Sequence, residues 1–219
     1  MFEPERQPRE LPQRLCGAEA GLTGRVRGIA RAARFVRVTN AAWVTQVTIA
    51  RMPRLVVGIM GPGETATAAD CANAERVGEA IAEHGWVALT GGRPIGVMEA
   101  ALRGARRRDG LTIGVLPDTT PDTATPYAEI RIVTGLGEAR NFINVLTSDV
   151  MCVCGMSAGT ASEVALALKV GRPTILIAPA AVSEQFWRSL GGDALYVAAT
   201  VEEAVQLIER FARRPSIGD

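Results

Sequence analysis

Three features of the sequence predict an α/β fold of Rossmann type, a doubly wound parallel β-sheet of about seven strands with helices on both faces. Short β-rich apolar runs alternate with helical patterns from Leu55 to the last residues. Several of those runs are apolar throughout, as expected of parallel strands covered on both sides. Glycines follow directly on four of them, where the chain must turn out of a strand and into a helix.

The first strand is LVVGIM (55–60), and GPGETAT turns out of it. In the helix that follows, Ala74, Val77, Ala80 and Ile81 recur at helical spacing. Thr67 and Asp70 have the spacing of a capping box at its start, and Gly85 can stop it. WVALT (86–90) is the second strand, ending in Gly91-Gly92, and a helix runs from about Gly96 through VMEAALRGARRR. LTIGVL (111–116) is the third strand, followed by a loop rich in Pro, Thr and Asp that reaches Tyr127. EIRIV (129–133) is the fourth, then TGLGEAR and a helix to about Thr147. VMCVC (150–154) is the fifth, leading through GMSAGT into the helix ASEVALALKV. TILIA (174–178), a helix near SEQFWRSL, a short strand ALYVA and a helix over VEEAVQLIERFAR complete the pattern. Short connections of this kind imply right-handed crossovers between parallel strands.

The totals bound what such a domain does. Of 219 residues 47% are hydrophobic, and no apolar run approaches the roughly 20 residues that span a bilayer. The net charge of +1 hides an asymmetry: residues 1–51 hold nine Arg against four Glu, a net +5, leaving 1 − 5 = −4 for the rest. A mildly acidic body is a poor binder of nucleic acid, so neither nucleic acid nor membrane is an expected partner. Residues 1–51 read as an N-terminal extension, disordered at its Pro/Arg/Glu-rich start, and 52–219 as a single ligand-binding domain. The extension has the look of a transit peptide, an amphipathic arm, or sequence upstream of the native start. Met52-Pro53-Arg54 makes a natural beginning, and the last reading is preferred. Four cysteines without metal-ligand spacing point to a reducing, cytoplasmic setting and to no protein-bound metal. Cys152 and Cys154, two apart on a strand, share one face as small core residues.

Ligands of such sheets bind beyond the carboxyl ends of the strands. Gly61 and Gly63, Gly91 and Gly92, Gly135 and Gly137, Gly155 and Gly159 all fall on that rim, each pair opening a helix whose free N–H groups favour an anion. The stretch CGMSAGTASE also spells G-x-S-x-G, a serine-hydrolase elbow around Ser157. The base is missing. The one histidine, His84, precedes Ser157 and ends its helix on the opposite rim, and the one lysine, Lys169, ends the helix that Ser157 precedes. The same lysine excludes pyridoxal phosphate, which needs a Schiff base. What remains is a phosphate turn with two charged residues near it. Thr160 and Glu163 have the spacing of a capping box, Thr as N-cap. Arg140 stands just inside the helix after the fourth strand. Sequential strands are usually neighbours, which predicts that Arg140 and Glu163 face one cleft, the cation clamping a phosphate.

At these residues the chain resembles the LOG family of Rossmann proteins, often labelled lysine decarboxylases. GMSAGTASE occupies the place of the family's PGGxGTxxE, keeping Gly159, Thr160 and Glu163, and Arg140 stands 23 residues before Glu163. TGGRPIGVMEAALRGA (90–105) looks like its other glycine-rich segment, and the resemblance covers roughly 55–180. It implies two activities. Members that hydrolyse nucleoside 5′-monophosphates to base and ribose 5-phosphate use the counterparts of Arg140 and Glu163 as catalytic residues. This chain departs from them at Asn141, where they have lysine, and at Gly155-Met156-Ser157, where they have Pro-Gly-Gly. ARNFINVLTSDV together with VVGIMGPGE looks more like the branch of molybdenum cofactor carriers, homo-oligomers that bind a phosphorylated pterin without chemistry. The expectation is therefore a carrier of a phosphorylated heterocycle, with molybdenum cofactor as the ligand the resemblance implies, acting as a dimer or tetramer. A phosphoribohydrolase and a nucleotide-sensing regulator are the alternatives. The expected ligand contacts are Gly61, Gly63, Gly91, Gly92, Arg140, Asn141, Ser157, Ala158, Gly159, Thr160 and Glu163.

Overall fold

The structure is a computed structural model and describes residues 54–212. The expectations for residues 1–51, Cys16 included, lie outside the described residues. Seven strands form one sheet: β1 (Val56–Met60), β2 (Val87–Thr90), β3 (Leu111–Leu116), β4 (Ile130–Val133), β5 (Val150–Cys154), β6 (Thr174–Ile177) and β7 (Leu195–Ala198). Six helices connect them: α1 (Ala68–Glu83), α2 (Gly96–Arg107), α3 (Arg140–Thr147), α4 (Ala158–Lys169), α5 (Ala181–Gly191) and α6 (Val201–Ala212). Every strand pair is parallel, in the order β4-β3-β2-β1-β5-β6-β7. The order reverses between β1 and β5, and such a reversal opens a crevice at the strands' carboxyl ends.

Period-two alternation sorts the strand side chains between two helix layers. Val57, Ile59, Cys152, Cys154, Ile175 and Ile177 pack with Val77 and Ile81 of α1, Val97 of α2 and Ile208 of α6. Met60, Leu89, Val115 and Met151 meet Val145 of α3 and Ala167 of α4. Val153 and Leu176 meet Val164 of α4 and Trp187 of α5. The two cysteines of β5 thus share one face and are fully buried there. Local signals behave as expected at α1. The Asp70 N–H donates to Thr67 Oγ1 (3.1 Å), the Thr67 N–H donates back to Asp70 Oδ2 (2.9 Å), and Gly85 takes φ +72° just past the end.

One expectation fails. β4 is the sheet's edge strand, separated from β5 by β3, β2 and β1, so the strands preceding Arg140 and Glu163 are not neighbours. The two side chains meet for another reason. The chain leaves β4 through the short 3-10 turn Gly137–Ala139 and doubles back over the sheet face as α3, which packs on β3, β1 and α4.

Candidate functional site

The cleft at the reversal point measures about 190 Å³. Its floor is the end of β1, with Met60, Gly61 and Gly63; one wall is the β2–α2 segment, with Gly91, Arg93, Ile95 and Met98. The other wall is built from Glu138, Arg140 and Asn141 at the head of α3 and from Ser157, Gly159, Thr160 and Glu163 at the head of α4. Of the eleven expected contacts, nine line this one cleft. Gly92 lies behind it, with φ +74°, where a Cβ would come within 2.8 Å of the Gly114 Cα. Ala158 is the exposed first residue of α4.

The α4 turn is a helix N-terminus whose cap differs from the one the sequence suggests. The helix begins at Ala158, and the N-cap is Ser157, not Thr160. Ser157 Oγ accepts the Thr160 N–H (3.2 Å) and pairs with Thr160 Oγ1 (2.9 Å). The Ala158 and Gly159 N–H groups belong to the first turn and have no acceptor within the helix. A Cβ at Gly159 would meet nothing closer than Ser157 Oγ at 3.9 Å, so the mouth of the turn is open. His84 lies elsewhere: it closes α1, shares hydrogen bonds with the Ala80 carbonyl (2.7 Å) and Glu209 (3.0 Å), and stacks on Trp86.

The early start of α4 moves Glu163 from a capping position to the helix's inner face, where it is 6% exposed. Asn144 Nδ2 donates to its Oε1 (2.8 Å), and Arg140 Nη1 stands 3.8 Å from the same oxygen. Burial raises the Glu163 carboxyl to about 7, against the opposing pull of the Asn144 hydrogen bond and the Arg140 charge. Burial also lowers the Arg140 pKa, although Glu163 opposes that shift. Both shifts say the same thing: at 3.8 Å the attraction does not repay the desolvation of either partner. The Arg140 guanidinium lies over the Gly91 backbone, and a Cβ at position 91 would come within 2.7 Å of its Cζ. Glycine at 91 is therefore what lets the cation reach the cleft. Arg140 Nε and Asn144 Oδ1 are buried without a hydrogen-bond partner. Buried polar atoms are rarely left so, and of these two residues Arg140 lines a cleft able to admit a ligand.

Asn141 is 6% exposed and donates from Nδ2 to Ser162 Oγ (2.9 Å), tying the head of α3 to α4. Met60, Glu64, Arg93, Ile95, Met98 and Glu138 line the cleft without having been expected, and Asn144, behind the wall, acts through Glu163. For Asn144 a signal existed. Arg140, Asn141 and Asn144 fall at i, i+1 and i+4, so three polar residues share the stripe that Val145 marks as buried.

An open parallel sheet with a helix N-terminus, a buried arginine and a buried glutamate at its reversal point defines a Rossmann-type protein of the LOG-like class. Within that class, the SLOG cluster4 family model matches residues 54–205, and the chain belongs to that family. The molybdenum cofactor binding protein of the phototrophic bacterium Rippkaea orientalis is 46% identical, with a TM-score of 0.72 over 74% of this chain and 99% of its own. The molybdenum cofactor carrier protein of Chlamydomonas reinhardtii is 43% identical, with a TM-score of 0.70 over 74% of this chain and all of its own. An uncharacterized protein of Archaeoglobus fulgidus is 41% identical over 133 residues, 61% of this chain and 86% of its own length.

Proposed function

We propose that this protein binds and carries molybdenum cofactor, held by its phosphate at the α4 turn. The observation that carries the reading is Arg140: an arginine 7% exposed, its Nε without a hydrogen-bond partner among the described residues, beside an open helix N-terminus. Buried arginine is costly unless an anion completes it, and a phosphomonoester fits the guanidinium fork and the first-turn amides together. The amides of Ala158 and Gly159 with the hydroxyls of Ser157 and Thr160 receive the phosphate, and Arg140 neutralises it. Gly61 and Gly63 admit the flat heterocycle, Gly91 gives room to the Arg140 guanidinium, and Asn141 and Glu163 border the middle of the ligand. The two solved carrier and binding proteins named above support the choice of ligand.

Among the described residues no helix is long and apolar enough to cross a membrane. Cys71, Cys152 and Cys154 are free thiols, which suits a reducing cytoplasm. A homo-oligomer belongs to the same reading, supported by apolar side chains left exposed on α3 and α5.

The test is retention of molybdenum cofactor. The wild-type protein is expected to slow loss of the cofactor's reconstituting activity, and Arg140→Ala to lose that protection. Unchanged affinity in Arg140→Ala would refute the clamp. One observation favours a phosphoribohydrolase as second reading: a carboxyl near 7 is able to donate a proton to a departing base. Incubation with AMP separates the two, since multiple turnovers of free adenine, abolished in Glu163→Ala, would replace carriage by hydrolysis.

A further inference from the structure

Arg93 stands on the wall of the cleft opposite the α4 turn. Its backbone is fixed, because Gly92 packs against Gly114 and the Ile95 N–H donates to the Arg93 carbonyl (2.9 Å). Its side chain is held far less. The guanidinium is 46% exposed and donates one long hydrogen bond, 3.4 Å, to Asp118 Oδ1. Asp118 Oδ2 accepts in turn from Thr123 Oγ1 (2.5 Å), so the carboxylate has a second donor when the arginine leaves it. A guanidinium carries five N–H donors, and a single long bond leaves most of that capacity for a ligand.

Distance separates Arg93 from the phosphate turn. β2, β1 and β5 are adjacent. At about 4.8 Å per strand, the segments leaving β2 and β5 stand about 10 Å apart, less the reach of the side chains between them. The Arg140 guanidinium, over Gly91 and 3.8 Å from Glu163 Oε1, lies between these segments and serves a phosphate on the α4 turn, leaving Arg93 for a second group. Glu64 and Glu138, exposed carboxylates lining the same mouth, disfavour another acidic group beside them and leave the Arg93 wall as the favourable place for it.

We propose that Arg93 is a second anion-binding residue of this cleft, and that the preferred ligand is a phosphomonoester carrying a second acidic group away from the first. The proposal rests on the phosphate reading of the α4 turn and narrows the ligand class. A metal-oxo dithiolene is such an acidic group, whereas the neutral base of AMP is not.

Calorimetric titration with AMP and with adenosine 3′,5′-bisphosphate, which carries two phosphomonoesters on one nucleoside, tests it. The wild type is expected to bind the bisphosphate about tenfold more tightly than AMP, with the difference shrinking in high salt. Arg93→Gln is expected to abolish that preference, lowering bisphosphate affinity far more than AMP affinity, with the melting temperature unchanged. Equal wild-type affinities, or a preference that survives Arg93→Gln, would overturn the proposal. Arg140→Gln keeps the two readings apart. Weaker AMP binding in Arg140→Gln, with no bisphosphate preference in the wild type, removes the role of Arg93 and leaves the phosphate turn standing. No measurable binding of either nucleotide to the wild type would remove both.

Discussion

The two helix layers cover the same sheet by different means. On the layer of α1, α2 and α6, arginines and glutamates are laced together. Arg103 meets Glu75 at 2.8 Å and Arg108 meets Glu79 and Glu83 at 3.3 Å, while Arg107 also pairs with Glu75, and Arg76 with Glu202. None of the large exposed hydrophobic residues lies on these three helices. On the layer of α3, α4 and α5 one surface pair, Arg188 with Glu184 on α5, stands beside exposed Phe142 and Leu146 on α3 and Val182, Phe186 and Leu190 on α5. This second layer also supplies Arg140, Asn144 and Glu163. The first layer is finished against solvent; the second carries unsatisfied chemistry at one end and uncovered apolar surface along its flank. The ion-paired surface lies mostly on one face of the sheet and most of the site's charged groups on the other, with Met98 of α2 completing one wall of the cleft.

The largest effect that would sharpen this division concerns the crossing of α1 and α2. Gly78 faces the Ala101 backbone and Gly104 faces Glu75, where an added Cβ would come within 3.0 Å of Ala101 C and 2.8 Å of Glu75 C. The obstacle is backbone on both sides, so neither helix can yield locally. Gly104→Val is expected to cost about 3 kcal/mol or more in denaturant unfolding, yet to leave AMP affinity unchanged under folding conditions. A loss below about 1 kcal/mol, or an equal loss of binding, would break the separation.

Next in size is a pH response of opposite sign on the two faces. The folded-state pKa of Glu163 is raised to about 7 from 4.5, so between those values the native state holds a proton that the unfolded chain has released. Stability contributed by neutral Glu163 is thus full below pH 4.5, falls as pH rises towards 7 and is lost above it, a change of about 3 kcal/mol. Glu163→Gln is expected to remove that fall and to be the more stable protein at pH 8. On the other face, the hydrogen bond from Arg103 leads in lowering the Glu75 pKa, with the Arg103 and Arg107 charges adding to it. Its contribution is present above the ordinary carboxylate range and lost as pH falls through the lowered value. Glu75→Gln is expected to flatten the acid limb and leave the neutral limb alone. Parallel limbs in both variants would count against the contrast.

The sequence displays the fold more plainly than it displays this division. Continuous apolar runs such as LVVGIM and VMCVC mark buried parallel strands because both their faces need apolar cover. The cap at Thr67 and the stop at Gly85 are readable because they are local. Sheet order is not local: nothing in EIRIV says that its strand lies at an edge, with three strands between it and β5. Hence the meeting of Arg140 with Glu163 is legible as an outcome but not in its cause. Asn144 is legible only as a polar residue on a buried stripe, and Arg93 is harder still, since it matters through what lies across the cleft from it. The start of α4 shows the limit of spacing arguments. Ser157 and Thr160 both suit an N-cap, and only the backbone's course through Gly155, at φ +80°, decides for Ser157.

The smallest effect on the protomer, and the sharpest probe of the apolar flank, lies on α5. Val182, Phe186 and Leu190 recur at i, i+4 and i+8, one stripe along a helix whose buried anchor is Trp187. Phe186 also meets Trp187 edge-on at 4.9 Å, so replacing it would disturb the core. Val182 and Leu190 are 78% and 60% exposed, and their side chains contribute little to the folded protomer. Val182→Lys with Leu190→Glu is therefore expected to change protomer stability by no more than about 0.5 kcal/mol. If a second copy covers this stripe, the wild type elutes larger than one chain and the double variant elutes as a single chain. A wild type that elutes as one chain at high concentration would deny the flank that role. The contrast between the layers would then rest on the site alone.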